Sequence, residues 1–77
     1  MSEEAFVRYI AENLCNDVDA IAVKQREAGR TSVVELKVAS EDMGRVIGKN
    51  GRVANAMRTL LRSMNDNQDR RIILEIE

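Results

Sequence analysis

The chain turns on four residues, Gly48-Lys49-Asn50-Gly51, set between two stretches whose apolar residues fall at helical spacing. Before them, Met43, Val46 and Ile47 share one helical face. After them, Val53, Met57, Leu60, Leu61 and Met64 fall at i, i+4, i+7, i+8 and i+11, a one-sided apolar stripe. A helix ends, another begins, and the connection is too short for anything but a sharp turn. Gly48 stands where a helix C-terminus favours a residue free to adopt positive φ. Gly51 stands where the following helix opens with unpaired backbone N–H groups. Such a loop is suited to an anion. Donor N–H groups and the positive helix end attract phosphate, and two glycines remove the Cβ atoms that would hold a sugar-phosphate backbone away.

Charge is distributed to match. Between Met43 and Asn65 lie five of the twelve basic residues (Arg45, Lys49, Arg52, Arg58, Arg62) and none of the thirteen acidic ones. A basic segment is therefore embedded in an acidic background, and Lys49, Arg45 and Arg52 are the cations nearest the glycines. The bland alternatives are a tight interhelical turn that needs glycine for geometry alone and a solvated basic face. Arg58 and Arg62 fall opposite the Val53 stripe, where ligand contact and ordinary surface are equally open.

The rest of the chain alternates between two periods. Ser2 is placed to cap a helix from about Glu3 to Leu14 that buries Phe6, Ile10 and Leu14 with Val7 and Ala11. Asn16-Asp17 breaks it. From about Asp19 to Glu27 the spacing becomes that of a strand, with Ile21 and Val23 on one face. Ala28-Gly29-Arg30 turns the chain into a second strand, Thr31 to Ala39, with Val34, Leu36 and Val38 on one face and Val33, Glu35 and Lys37 on the other. Ser40 is expected to cap a short helix with Glu41 and Asp42 in its first turn. The helix after the loop runs from about Arg52 to Asn65 and ends in the polar run Asn65-Asp66-Asn67-Gln68-Asp69. Ile72, Leu74 and Ile76 alternate with Ile73, Glu75 and Glu77 in a third strand. This predicts an α+β fold, α-β-β-α-α-β, with helices covering one face of a three-stranded sheet.

Several classes of function are disfavoured. With no histidine and one cysteine, Cys15, the chain lacks the usual ligands of a metal site, an internal disulfide, and Ser-His or Cys-His nucleophile pairs; Cys15 reads as buried filler. The loop is not the GxxxxGK[ST] of a phosphate-binding NTPase, so neither a cofactor nor an enzyme is expected. No apolar run approaches a membrane span, and the acidic start Met1-Ser2-Glu3-Glu4 is unlike a secretion signal, which points to a cytoplasmic protein with no membrane partner. A DNA-reading helix-turn-helix would carry polar base-reading residues at the start of its second helix, where this chain has glycine and aliphatic residues between Arg52 and Asn55. The two aromatic residues, Phe6 and Tyr9, sit far from the basic loop, unlike the stacking platform of an RNA-recognition motif.

Val46-Ile47-Gly48-Lys49-Asn50-Gly51-Arg52 resembles the VIGxxGxx signature of KH domains, which clamp about four nucleotides of a single strand with a GxxG loop. The element order is that of the type II KH fold. From Ser40 through Arg52, and along the helix through Arg58-Thr59-Leu60-Leu61, the chain resembles the small free-standing bacterial KH proteins of the KhpA family. The likeness covers residues 1–77 as a single KH domain, with one departure: Asn16-Asp17 stands where a proline-containing turn is expected. The resemblance implies a post-transcriptional, RNA-chaperone type of regulator that binds single-stranded RNA. Arg45, Ile47, Gly48, Lys49, Asn50, Gly51, Arg52 and Asn55 are the candidate contacts, Gly44, Ile47 and Ala54 an apolar floor, and the edge of the second strand near Leu36 to Val38 the place where bases bond. It also implies a homodimer, or a heterodimer with a larger Jag-like partner that carries its own KH domain. The alternative is a dimerisation adaptor for that partner with only weak RNA binding of its own, which the net charge of −1 keeps open.

Overall fold

The computed structural model describes residues 2–65 and 69–77; the middle of the polar run expected after the long helix lies outside them. Helix α1 spans Glu3–Leu14, strands β1 and β2 span Ala22–Ala28 and Thr31–Lys37, helix α2 spans Met43–Ile47, helix α3 spans Arg52–Met64 and strand β3 spans Arg71–Ile76. The sheet order is β1-β2-β3, antiparallel between β1 and β2 and parallel between β2 and β3. This is the α+β arrangement expected from the alternating periods.

Strand periodicity decides which residues meet the helices. Val23 of β1, Leu36 of β2 and Ile76 of β3 stand in one row, Gln25, Val34 and Leu74 in the next. From above, α1 contributes Val7 and Ala11, α2 contributes Val46, and α3 contributes Met57 and Leu61, all buried in one cluster with Val34, Leu36, Val38 and Leu74. Cys15 is buried in the same cluster, as filler. Ser2 caps α1 as the sequence implied, its Oγ accepting the Ala5 N–H at 3.0 Å.

A polar link crosses the layers beneath the start of α1. Gln25 Nε2 donates to Ser32 Oγ (2.8 Å) and to Glu3 Oε1 (2.9 Å), and Arg70 reaches both Glu3 and Glu27. The Gln25 hydrogen bond and the Arg70 charge hold the Glu3 carboxyl below its ordinary range against the opposing effect of burial.

Four expectations are corrected. The first strand starts at Ala22 rather than near Asp19, because Val18–Ala20 form a 3₁₀ turn whose Ile21 N–H bonds the Val18 carbonyl and drops Ile21 into the core. Ser40 does not cap α2; it begins a second 3₁₀ turn, and Asp42 of that turn is buried and bonded elsewhere in the chain. Leu60 is 48% exposed, since the face α3 lays on the sheet is centred on Ala54, Met57 and Leu61, leaving Leu60 on its flank. Val33, assigned to the open face of the sheet, is nevertheless buried: it lies in register between Arg26 and Ile73, and the Arg26 guanidinium bonds Glu35 at 2.6 Å beside it.

Candidate nucleic-acid interface

The loop between α2 and α3 is tighter than spacing alone implies. Gly48 has φ 77° and ψ 170°, a region essentially confined to glycine, and a Cβ built there would lie 2.5 Å from Val53 Cγ2 and 2.8 Å from Val53 N. The loop backbone is thus pressed against the first turn of α3. Asn50 (φ 57°) and Gly51 (φ 76°, ψ 15°) follow in left-handed conformations, which asparagine tolerates better than most side chains.

Backbone bonding fixes which donors remain. The Gly48 N–H bonds the Gly44 carbonyl (2.8 Å), the Gly51 N–H bonds that of Gly48 (3.1 Å), and the Arg52 N–H bonds that of Lys49. The Gly51 N–H is therefore paired, although the sequence places Gly51 where the next helix opens with unpaired N–H groups. The N–H groups of Lys49 and Asn50 have no acceptor among the described residues, and no side chain caps α3. Successive unpaired N–H groups in a turn form a concavity that suits an anion. Lys49, Asn50 and Arg52 are exposed around it, and among the described residues no carboxylate pairs with Lys49 or Arg52.

The other candidates are placed around this turn. Ile47, which by spacing shares a helical face with Met43 and Val46, is 37% exposed and forms an apolar surface just before Gly48. Ala54 is buried behind the loop, while Gly44 is exposed. Asn55 lies one turn into α3, its Nδ2 3.7 Å from where a Gly51 Cβ would stand. Arg45 is turned toward α1: its Nη1 donates to Asn16 Oδ1 at 3.4 Å and its Nε lies 3.9 Å from Asp42 Oδ1.

The second strand has no free edge to offer bases, because β2 is central and paired on both sides. The edge beside α3 belongs to β3. Its odd-numbered residues face β2, as the bonds of Arg71 N–H to Arg30 and of Glu77 N–H to Leu36 indicate, so Ile72, Leu74 and Ile76 turn their backbone groups outward. Arg58 crosses to this edge from α3, Nη2 donating to the Leu74 carbonyl (3.3 Å) and Nη1 to Asn55 Oδ1 (3.2 Å). These two bonds tie Arg58 to the start of α3 and to β3. Arg62 is exposed and donates to Thr59 Oγ1. Nothing in the sequence placed β3 at the edge, since strand order is set by the parallel crossover through α2 and α3. No helix among the described residues is long and apolar enough to cross a membrane, and no metal-binding cluster occurs among them.

The family model described as KhpA/KhpB, KH domain matches residues 4–76. An RNA-binding protein KhpA of Caldanaerobacter subterraneus subsp. tengcongensis is 44% identical over 70 residues, covering 91% of this chain and 93% of its own length. Proteins of the same name from Clostridium acetobutylicum and Treponema pallidum are each 40% identical, over 87% and 96% of this chain and 89% and 92% of theirs. No solved structure matches the chain significantly. A match that begins in α1, ends in β3 and takes in the whole α2–loop–α3 turn leaves one conclusion: the chain belongs to the KhpA/KhpB KH-domain family.

Proposed function

We propose that the chain is a single KH module that binds single-stranded RNA, with the Gly48–Gly51 loop gripping the phosphate backbone. The observation that carries this reading is the loop itself: glycine-only backbone at Gly48, two N–H groups at Lys49 and Asn50 without acceptors among the described residues, and exposed cations on either side. The relatives named RNA-binding proteins support it. Lys49, Arg52 and Arg45 meet phosphates. Ile47 supplies an apolar floor at the loop, and Asn55 lines the path between the loop and the free edge of β3. Bases bond there, at the outward backbone groups near Leu74, in place of the second-strand edge. The work is recognition without catalysis, in the cytoplasm where the RNA is, as a regulator of transcripts after synthesis. Working partners are a second copy of the chain or a larger Jag-like protein.

The test is to change Lys49 and Asn50 together to aspartate. Both are exposed, Asp tolerates the left-handed backbone of position 50, and exposed substitutions shift stability by about 0.5 kcal/mol. Two carboxylates would then stand where a phosphate must approach. Fluorescence anisotropy of a labelled single-stranded RNA should show binding abolished, with circular dichroism unchanged. A folded double variant that binds as tightly as the parent would make the loop a structural turn and leave the adaptor reading in its place.

A further inference from the structure

Asp42 is the only carboxylate buried among the described residues, and the loop reading gives it no role. Both of its oxygens are occupied from far along the chain: Oδ1 accepts the Asn16 N–H at 3.1 Å and Oδ2 the Asp17 N–H at 3.0 Å. These two bonds fasten the turn after α1 to the turn that opens α2. Arg45, one helical turn on, completes the cluster. It reaches Asn16 Oδ1 and lies near Asp42 Oδ1, yet its side chain stays 54% exposed. The backbone hydrogen bonds from Asp17 and Asn16, helped by Arg45, keep the Asp42 carboxyl below its ordinary range despite burial.

We propose that Asp42 is a positioning residue: through the Asn16–Asp17 turn it holds Arg45 three residues before Gly48 as a ready-oriented phosphate contact. The inference rests on the loop reading above. A guanidinium carries five donors, and the contacts to Asn16 and Asp42 leave others open to a phosphate. A half-exposed arginine that must be ordered by its ligand loses rotamer freedom on binding; one already held does not. As a bare ion pair the 3.9 Å contact would be worth little at a solvated site. Its geometry gains meaning from the two backbone bonds, which fix where the carboxylate stands. The departure noted at Asn16-Asp17 falls here. A proline at either position would remove one of the two N–H donors that Asp42 uses, and an alanine at 16 would remove the Oδ1 that Arg45 meets.

The experiment measures binding of a fluorescein-labelled single-stranded RNA of mixed sequence, about ten nucleotides long so as to exceed a four-nucleotide footprint. The proteins are the parent, N16A, R45A, D42N, D42N/R45A and the Lys49/Asn50 double aspartate, each at a temperature where circular dichroism shows it folded. One phosphate contact contributes about 0.7 to the slope of log K against log salt on a single strand, which corresponds to roughly fivefold at 0.1 M salt. R45A should lose roughly that factor and that slope, D42N should lose affinity by up to the same factor, and D42N should cost nothing further in the R45A background. N16A keeps both backbone donors, so it should fold as the parent does and still weaken binding through Arg45. A D42N protein that is folded, less stable and binds with the parent's affinity and slope would make Asp42 purely structural. So would a D42N loss that persists undiminished beside R45A. Should D42N not fold, N16A decides: parental affinity and slope overturn the proposal. Failure of the loop reading is separate, since it requires parental binding by the double aspartate.

Discussion

A methyl group at Gly48 would collide with Val53, whereas one at Gly51 would meet nothing closer than Asn55 Nδ2 at 3.7 Å. The two glycines of the loop are therefore different constraints. At Gly51 the cost of a side chain is conformational alone, about 1–2 kcal/mol for an L-residue in the left-handed region. At Gly48 the backbone angle is one that only glycine adopts, and the clash with Val53 N involves backbone that has no rotamer to give. Urea unfolding should rank Gly48→Ala as the more destabilising change, with Gly51→Ala near 1–2 kcal/mol. Equal costs would mean the loop relaxes away from Val53. The sequence disclosed both glycines and the need for positive φ, because local chain reversal requires it. It could not disclose the Val53 contact, which depends on how closely α3 folds back over the loop. Asp42 was illegible for a similar reason. An acid before a helix reads as complementing the dipole, and its partners Asn16 and Asp17 become neighbours only when α1 docks.

At the scale of elements, apolar spacing located α1, α3 and all three strands, since a face that must be buried imposes its period on the chain. Spacing is less informative about the width of that face. The stripe Val53, Met57, Leu60, Leu61 and Met64 covers more of the α3 circumference than a flat sheet can reach. The helix settles with Ala54, Met57 and Leu61 inward and Leu60 out. Truncation separates the two leucines. Leu61→Ala removes a side chain that is 1% exposed from the main cluster and should cost 2–5 kcal/mol, while Leu60→Ala, at 48% exposure, should cost under about 1 kcal/mol in the monomer. Thermal or urea melts of the two variants check this; a large loss at Leu60 would show that its flank is covered in solution. Strand order lay further beyond reach. The alternation that marks β3 is the same whether it adds beside β1 or β2, so which strand holds the free edge beside α3 depends on the crossover.

The whole molecule combines a small core with a local charge. At 77 residues a domain buries only about 60% of the surface its unfolded chain exposes, and the single buried cysteine offers no disulfide staple. Tyr9 and Leu60 on the helices and Ile73 on the sheet leave apolar surface outside the core. Association would bury some of it and add stability by mass action, so that folding and self-association become linked. Two measurements follow from that linkage. Sedimentation equilibrium at micromolar concentration should give a weight-average mass above the 8.7 kDa of one chain, and the unfolding midpoint should rise with protein concentration. The second result distinguishes a stabilising interface from loose aggregation, because only a partner that binds the folded chain shifts the midpoint. A chain that sediments at 8.7 kDa at every concentration, alone and with a Jag-like partner, and melts at a fixed temperature would show that the core stands unaided.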